Sequence, residues 1–442
     1  MLLLFVQHTR NSSPRQEIKM TMTTQQFGPI TFGYYIPSQD GWNTAGVDGG
    51  ANGSFLNPDS NLPPGFLPFG SRAITDAYDD GAFLVVAVDN QNVVPSTGWA
   101  QVWDTEGIDG GENGFLYVPT APPGYVALGV AFTNYGTPTF QVACVSTQYV
   151  TQGEINQLWS TAGIDGGDDL ILYTAIIDST LTPPSSDLNP NIAIPSSTFV
   201  LSAATAYLLD LPTPFVAGPA SQSNPPRLSG YTSPGAVTAT VSDGYVTLPY
   251  TLVDADSDKG NAWKALNSPF YTLNRTCYWT NVGFLDNQLG STNELSQTVT
   301  TGVTHASSTE FSHTVGITVG AEGGVSFLGT GGKISVSVNY QFGYTTSSSL
   351  ENLSESSNTI AVPVPAACAG IIWLASRQMS LSRTNGSVVD QGDGGVLSFN
   401  GTIYVTDQYP NATNGAAPQQ QSVRHGHHHR HHHGHHHHLE SH

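Results

Sequence analysis

Three short stretches of the 442-residue chain repeat one constellation that could do chemistry. Trp42-Asn-Thr-Ala-Gly-Val-Asp-Gly-Gly50 recurs as Trp103-Asp-Thr-Glu-Gly-Ile-Asp-Gly-Gly111 and as Trp159-Ser-Thr-Ala-Gly-Ile-Asp-Gly-Gly167. Each ends on one carboxylate, Asp48, Asp109 or Asp165, followed by two glycines. As ligand loops, three such tips could take a sugar or a Ca²⁺ ion, and identical loops favour multivalent binding. As structure, Asp-Gly-Gly makes a tight turn needing positive φ, with the Trp packing near an axis. One Asp per loop supplies few of the roughly 6–8 oxygens Ca²⁺ takes, which favours the structural reading.

A second concentration of ligating groups lies at the far end. Residues 425–442 hold 12 of the 15 His, with His427, His428, His429, His431, His432 and His433 as candidate metal ligands. Protonated below about pH 6, the same tract could instead approach an anionic membrane. His305 and His313 could sense acid, although solvated strand positions account for them equally. Catalysis finds no footing: no activated Ser or Cys pattern and no phosphate-binding glycine loop before a helix occur. The chain is expected to be no enzyme and to need no cofactor.

The remaining chemistry is amphipathic. Over residues 315–327 the odd positions are apolar or small and the even ones polar or glycine. After Leu328-Gly-Thr-Gly-Gly332 a second alternation runs over 334–344. Each segment reaches the roughly 9–11 residues of a tilted transmembrane strand. Val315, Ile317, Val319, Val325, Phe327, Leu328, Ile334, Val336, Val338, Tyr340 and Phe342 would face lipid. Glu322, Lys333, Ser335, Ser337, Asn339 and Gln341 would face a water-filled lumen. One hairpin leaves its edges unsatisfied in hydrocarbon, so a pore needs several protomers. An ordinary half-buried hairpin alternates in the same way. The flanking arms, 291–312 and 345–359, are rich in Ser and Thr, bury little, and suit ribbons that change partners.

The elements that must carry these groups are strands. Charged residues make up 10%, Gly (47) and Pro (28) are abundant, and period two is common where period 3.6 is rare. A net charge of −20 with 13 Lys plus Arg argues against nucleic acid. Cys144, Cys277 and Cys368 are too few for a disulfide framework. No run reaches a membrane-spanning helix. The opening Met1-Leu-Leu-Leu-Phe-Val is short for a secretory leader, and Met20 or Met22 could equally be the start.

Asp109-Gly-Gly, Pro122-Pro-Gly-Tyr-Val-Ala-Leu-Gly129 and Phe140-Gln-Val-Ala-Cys-Val145 resemble the vacuolar-protein-sorting sixty-two family over roughly 30–215. That resemblance informs fold and carries little function. His313-Thr-Val-Gly-Ile-Thr-Val, Gly332-Lys-Ile-Ser-Val-Ser-Val-Asn-Tyr-Gln-Phe and Thr359-Ile-Ala-Val-Pro-Val-Pro365 resemble the aerolysin and epsilon-toxin family over about 280–376. The resemblance implies an elongated β protein that assembles into rings and inserts the hairpin. A basic activation site is lacking between hairpin and tail, where only Arg377 and Arg383 occur.

The expected architecture is all-β. Residues 1–29 form a disordered extension, and 30–215 a pseudo-threefold, β-prism-like repeat head. A linker follows over 216–240, then an elongated aerolysin-like domain over 241–408 and a disordered tail over 409–442. The expected function is a pore-forming toxin or defence protein. It would bind a glycan or lipid receptor on a target membrane and form a homo-oligomer there. The alternative is a multivalent, lectin-like binder without lytic activity.

Overall fold

Alternating apolar and polar residues become strand almost throughout the computed structural model, which describes residues 22–76, 78–79, 81–177, 191–212, 214–217, 225–253, 255–305, 317–319, 324–328, 335–339, 356–389, 394–410 and 419–422. The first repeat comprises β1 (Thr24–Phe27), β2 (Ile30–Tyr35), β3 (Ser38–Asn43), β4 (Gly53–Pro58), β5 (Phe66–Pro68), β6 (Arg72–Thr75), β7 (Tyr78–Asp79) and β8 (Phe83–Ala87). The second has β9 (Val93–Pro95), β10 (Gly98–Asp104), β11 (Phe115–Thr120), β12 (Tyr125–Ala127), β13 (Ala131–Thr133) and β14 (Ala143–Ser146). The third has β15 (Val150–Gln152), β16 (Glu154–Ser160), β17 (Ile171–Ile176), β18 (Asn191–Ile194) and β19 (Tyr207–Pro212).

Each repeat places its Trp on an antiparallel pair: β3–β4, β10–β11 or β16–β17. One extra residue bulges the first strand just before the Trp, at Gly41, Val102 or Leu158. A bulge re-aims the next side chain, and here the three indoles converge. Trp42 lies 5.7 Å edge-on from Trp103 and 5.8 Å from Trp159. Phe55, Phe132 and Phe199 fill the space around them. Three further sheets complete the head: β1-β2-β8-β5, β12-β14-β9 and β15-β19-β18.

The second unit is drawn from β20 (Phe215–Ala217), β21 (Val241–Pro249), α1 (Asn261–Asn267), β22 (Phe270–Asn287) and β23 (Asn293–His305). It continues with β24 (Ile317–Val319), β25 (Gly324–Leu328), β26 (Ser335–Asn339), β27 (Ser356–Val364), β28 (Cys368–Ser382), β29 (Val396–Tyr409) and β30 (Gln419–Ser422). The main sheet runs β20-β21-β22-β28-β29-β23-β27, with β30 on β29. Near-continuous burial of β28 follows from cover on both faces. Ile371 and Trp373 pack with Trp279, Leu228 and Val405, while Ile372 and Leu374 meet Leu295, Val299, Ile360 and Val364.

Three boundaries differ from the sequence-based expectation. Residues 24–27, assigned to the extension, form β1, and Phe27 is fully buried. In the expected linker, 216 and 217 end β20, and residues 225–238 are a strap over the sheet. Leu228 N–H donates to Asp407 at 2.7 Å, Arg227 pairs with Asp407 at 3.3 Å, and Thr238 N–H donates to the Trp279 carbonyl at 2.9 Å. Residues 419–422, assigned to the tail, pair with 403–406. Proline- and serine-rich composition signals extended chain, not freedom from packing.

The two units share one hydrophobic core. Phe27, Phe32 and Tyr34 of the head cluster with Tyr250, Phe270, Leu273 and Leu381. Phe32 and Tyr34 lie 5.6 and 6.0 Å from Phe270, ring to ring.

Candidate functional site

The Asp-Gly-Gly loops close into a ring. Asp48 N–H donates to the Asp109 carbonyl, Asp109 N–H to Asp165, and Asp165 N–H to Asp48, each at 3.2 Å. The indoles repeat the same circuit. Trp42 donates to the Glu112 carbonyl at 3.0 Å, Trp103 to Asp168 at 2.9 Å and Trp159 to Ala51 at 2.9 Å. Each repeat therefore fastens the next, and closure needs all three. Gly49, Gly110 and Gly166 sit at φ 78°. A Cβ there would run into the carbonyl oxygens of Gly163, Gly46 and Gly107. The Asp side chains themselves are exposed. Backbone, not carboxylate, makes the axis. Among the described residues no group of three or more His, Cys, Asp or Glu could hold a metal ion.

The amphipathic stretch lies between β23 and β27, which pair with each other from Asn293↔Val364 to Thr301↔Ser356. It therefore leaves the end of an existing antiparallel ribbon. From Gly302, φ 90°, β23 pairs with β29, opposite Asn400. Sequence reasoning passed over Gly302; a lone glycine in a Ser/Thr-rich strand was its signal. The arm also buries more than its composition promised, since Leu295 and Val299 enter the core with Ile360 and Val364.

Residues 315–327 do not form one strand. β24 folds back on β25, with Ile317 opposite Phe327, Thr318 opposite Ser326 and Val319 opposite Val325. β25 then pairs with β26, placing Phe327 opposite Val336, Ser326 opposite Ser337 and Val325 opposite Val338. Apolar positions are in register across three strands, and so are polar ones. Leu328 is opposite Ser335, a position that strand parity puts in register with the polar ones. Asn339 is opposite Gly324. Val315, Glu322, Lys333, Ile334, Tyr340, Gln341, Phe342, His313 and the His tract at 427–433 lie outside the described residues. His305 ends β23 opposite Ser398.

Sequence reading missed a buried ionic cluster where the two units meet. Arg383 donates twice to Asp256, at 2.9 Å from Nε and 2.5 Å from the terminal nitrogen. The Tyr271 hydroxyl donates to the same carboxylate at 2.8 Å. Burial raises the Asp256 pKa, but hydrogen bonds from Arg383 and Tyr271 and the charges of Arg383 and Lys264 outweigh it. The carboxyl is held below its usual range. Burial beside that carboxylate pushes the Tyr271 phenol up. Burial raises the Cys144 thiol to about 11.

Residues 241–410 match the model of a family described as insecticidal crystal toxin, P42. The matched stretch contains β21 to β29, that is, the main sheet without β20 and β30, and the amphipathic insert. It includes the whole region in which the sequence resembles aerolysin, but the matching model is that of the crystal toxins. Among solved structures, Cry35Ab1 is similar over 88% of this chain and 91% of its own, at 14% identity and a TM-score of 0.36. GNIP1Aa from Chromobacterium piscinae is similar at 19% identity and a TM-score of 0.32, over 39% of this chain. The chain spans about a third of GNIP1Aa, 32% of its length. No curated protein matches the sequence. No helix among the described residues is long and apolar enough to cross a membrane, which says nothing of crossing by strands.

Proposed function

We propose that the chain is a pore-forming toxin with insecticidal relatives. It meets a target surface with its repeat head, assembles into a ring and inserts the segment between β23 and β27. The observation that carries this reading is the register across β24, β25 and β26, which, apart from Leu328 opposite Ser335, aligns apolar with apolar and polar with polar positions. A transmembrane barrel wall needs that two-faced pattern. The family match over 241–410 supports a toxin. The insert's place at the end of the β23–β27 ribbon supports its extension as a longer hairpin. Insertion then requires the β24–β25 reversal to open, so that 315–327 becomes one strand. In the assembled barrel Ser335, Ser337 and Asn339 line the lumen.

The test is dye release from liposomes, with electron microscopy of the same sample. Release accompanied by rings is expected. Surface binding with neither release nor rings would instead support the lectin-like alternative.

A further inference from the structure

The head is almost without positive charge. Between residues 30 and 215 the only basic residue is Arg72, against eighteen Asp and Glu, and Arg72 is buried. The second repeat breaks this acidity. Residues 90–103 and 113–153 carry no charged side chain. In the first of these uncharged stretches β10 presents a half-buried indole, Trp99. The half-buried ring of Phe140 stands against it edge-on, with centroids 5.8 Å apart and planes at 68°.

The fold does not require this pair. By register, Trp99 opposite Pro119 corresponds to Ser38 opposite Pro58 and to Ile155 opposite Ala175. Two of three symmetry-related sites therefore do without an aromatic ring. Residues 134–142, which carry Phe140, are nevertheless held in place. Ser96 N–H donates to the Val142 carbonyl at 2.9 Å, Val142 N–H to the Ser96 hydroxyl at 3.3 Å, and the Gln141 amide to the Ser96 carbonyl at 3.2 Å. The same loop leaves Tyr135 47% exposed, and Thr97 and Gln141 are exposed nearby along the chain, beside Trp99 and Phe140.

We infer that Trp99 and Phe140 form a binding site for a neutral saccharide. The negative face of an aromatic ring attracts the weakly positive C–H face of a pyranose. Neutral hydroxyl and amide groups match its hydroxyls. A cationic ligand would favour the acidic surfaces elsewhere on the head, and an anionic one would be repelled by them. The site rests on the reading of the head as the surface-recognising part. One site per protomer would be multiplied by ring assembly.

The test uses the full chain on immobilised neutral oligosaccharides ending in galactose, N-acetylgalactosamine, N-acetylglucosamine, mannose or fucose. Wild type is compared with Trp99→Ser, Phe140→Ala and Asp109→Asn, each checked for an unchanged thermal transition. Serine at position 38 shows that the hairpin accepts Trp99→Ser. Wild type should bind at least one sugar, the two aromatic variants should lose about tenfold or more, and Asp109→Asn should stay within about twofold. Failure of wild type to bind any of these sugars would overturn the inference. So would full binding by the folded Trp99→Ser protein, or loss confined to Asp109→Asn. Sugar binding is read without a membrane, so an absence of dye release contradicts the pore reading alone.

Discussion

Gly110 and Asp109 are neighbours with opposite expectations. Gly110→Ala must place a Cβ at φ 78° against the Gly46 carbonyl, which should cost about 1–3 kcal/mol or more. Asp109→Asn leaves the backbone ring intact and should move stability by less than about 0.5 kcal/mol. Urea denaturation of the two variants compares them directly; equal losses would mean that the carboxylate itself is structural. Asp256 supplies a pH dependence. Its folded pKa lies below the unfolded value of about 3.9, so the native state holds fewer protons in that window. The stability it contributes is complete above the unfolded pKa and is lost as pH falls through the folded one. Asp256→Asn should flatten the acid limb of the stability profile. Arg383→Ala, which strands a carboxylate whose side chain is 5% exposed, should cost on the order of 3 kcal/mol. An acid limb unchanged in Asp256→Asn would place the dependence elsewhere.

At the scale of elements, the insert offers a paired comparison. Val336 and Ser337 are successive residues of β26 and occupy opposite faces of its strand. Arginine on a lipid face near the bilayer midplane costs about 2–4 kcal/mol per strand, repeated around a ring. Val336→Arg should therefore abolish dye release, while Ser337→Arg, facing water, should keep it. Equal release by both variants would remove this strand from the barrel wall. The two-faced pattern was legible from the sequence because parity survives any choice of partner. The reversal between β24 and β25 was not, although Gly320, Gly323 and Gly324 carried the turn signal. Glycine-rich segments fit both a transmembrane strand and a tight turn, and only pairing decides. The nine-residue repeat pointed to the pseudo-threefold head, whereas the backbone ring that closes it depends on contacts between segments about sixty residues apart.

At the scale of the molecule, head and sheet are joined through Phe32, Tyr34, Phe270 and Tyr250. Composition could not show this, since a proline-rich stretch reads alike as linker or strap. A common core predicts one cooperative unfolding transition in calorimetry, and Phe270→Ala should lower it as a whole by about 3–5 kcal/mol. Two separate transitions would contradict the shared core. Function asks for the reverse in one place. The sheet stays fastened by the 225–238 strap and the Asp256–Arg383 pair, while the insert must change partners. Thr318 and Ser326 face each other in the folded chain. In one inserted strand they would stand about 26 Å apart along it. The decisive measurement is dye release by a Thr318→Cys/Ser326→Cys protein in a Cys368→Ser background, oxidised and then reduced. The account predicts binding without release while the disulfide is closed, and release restored by reductant. Full release from the oxidised protein would contradict insertion of this segment.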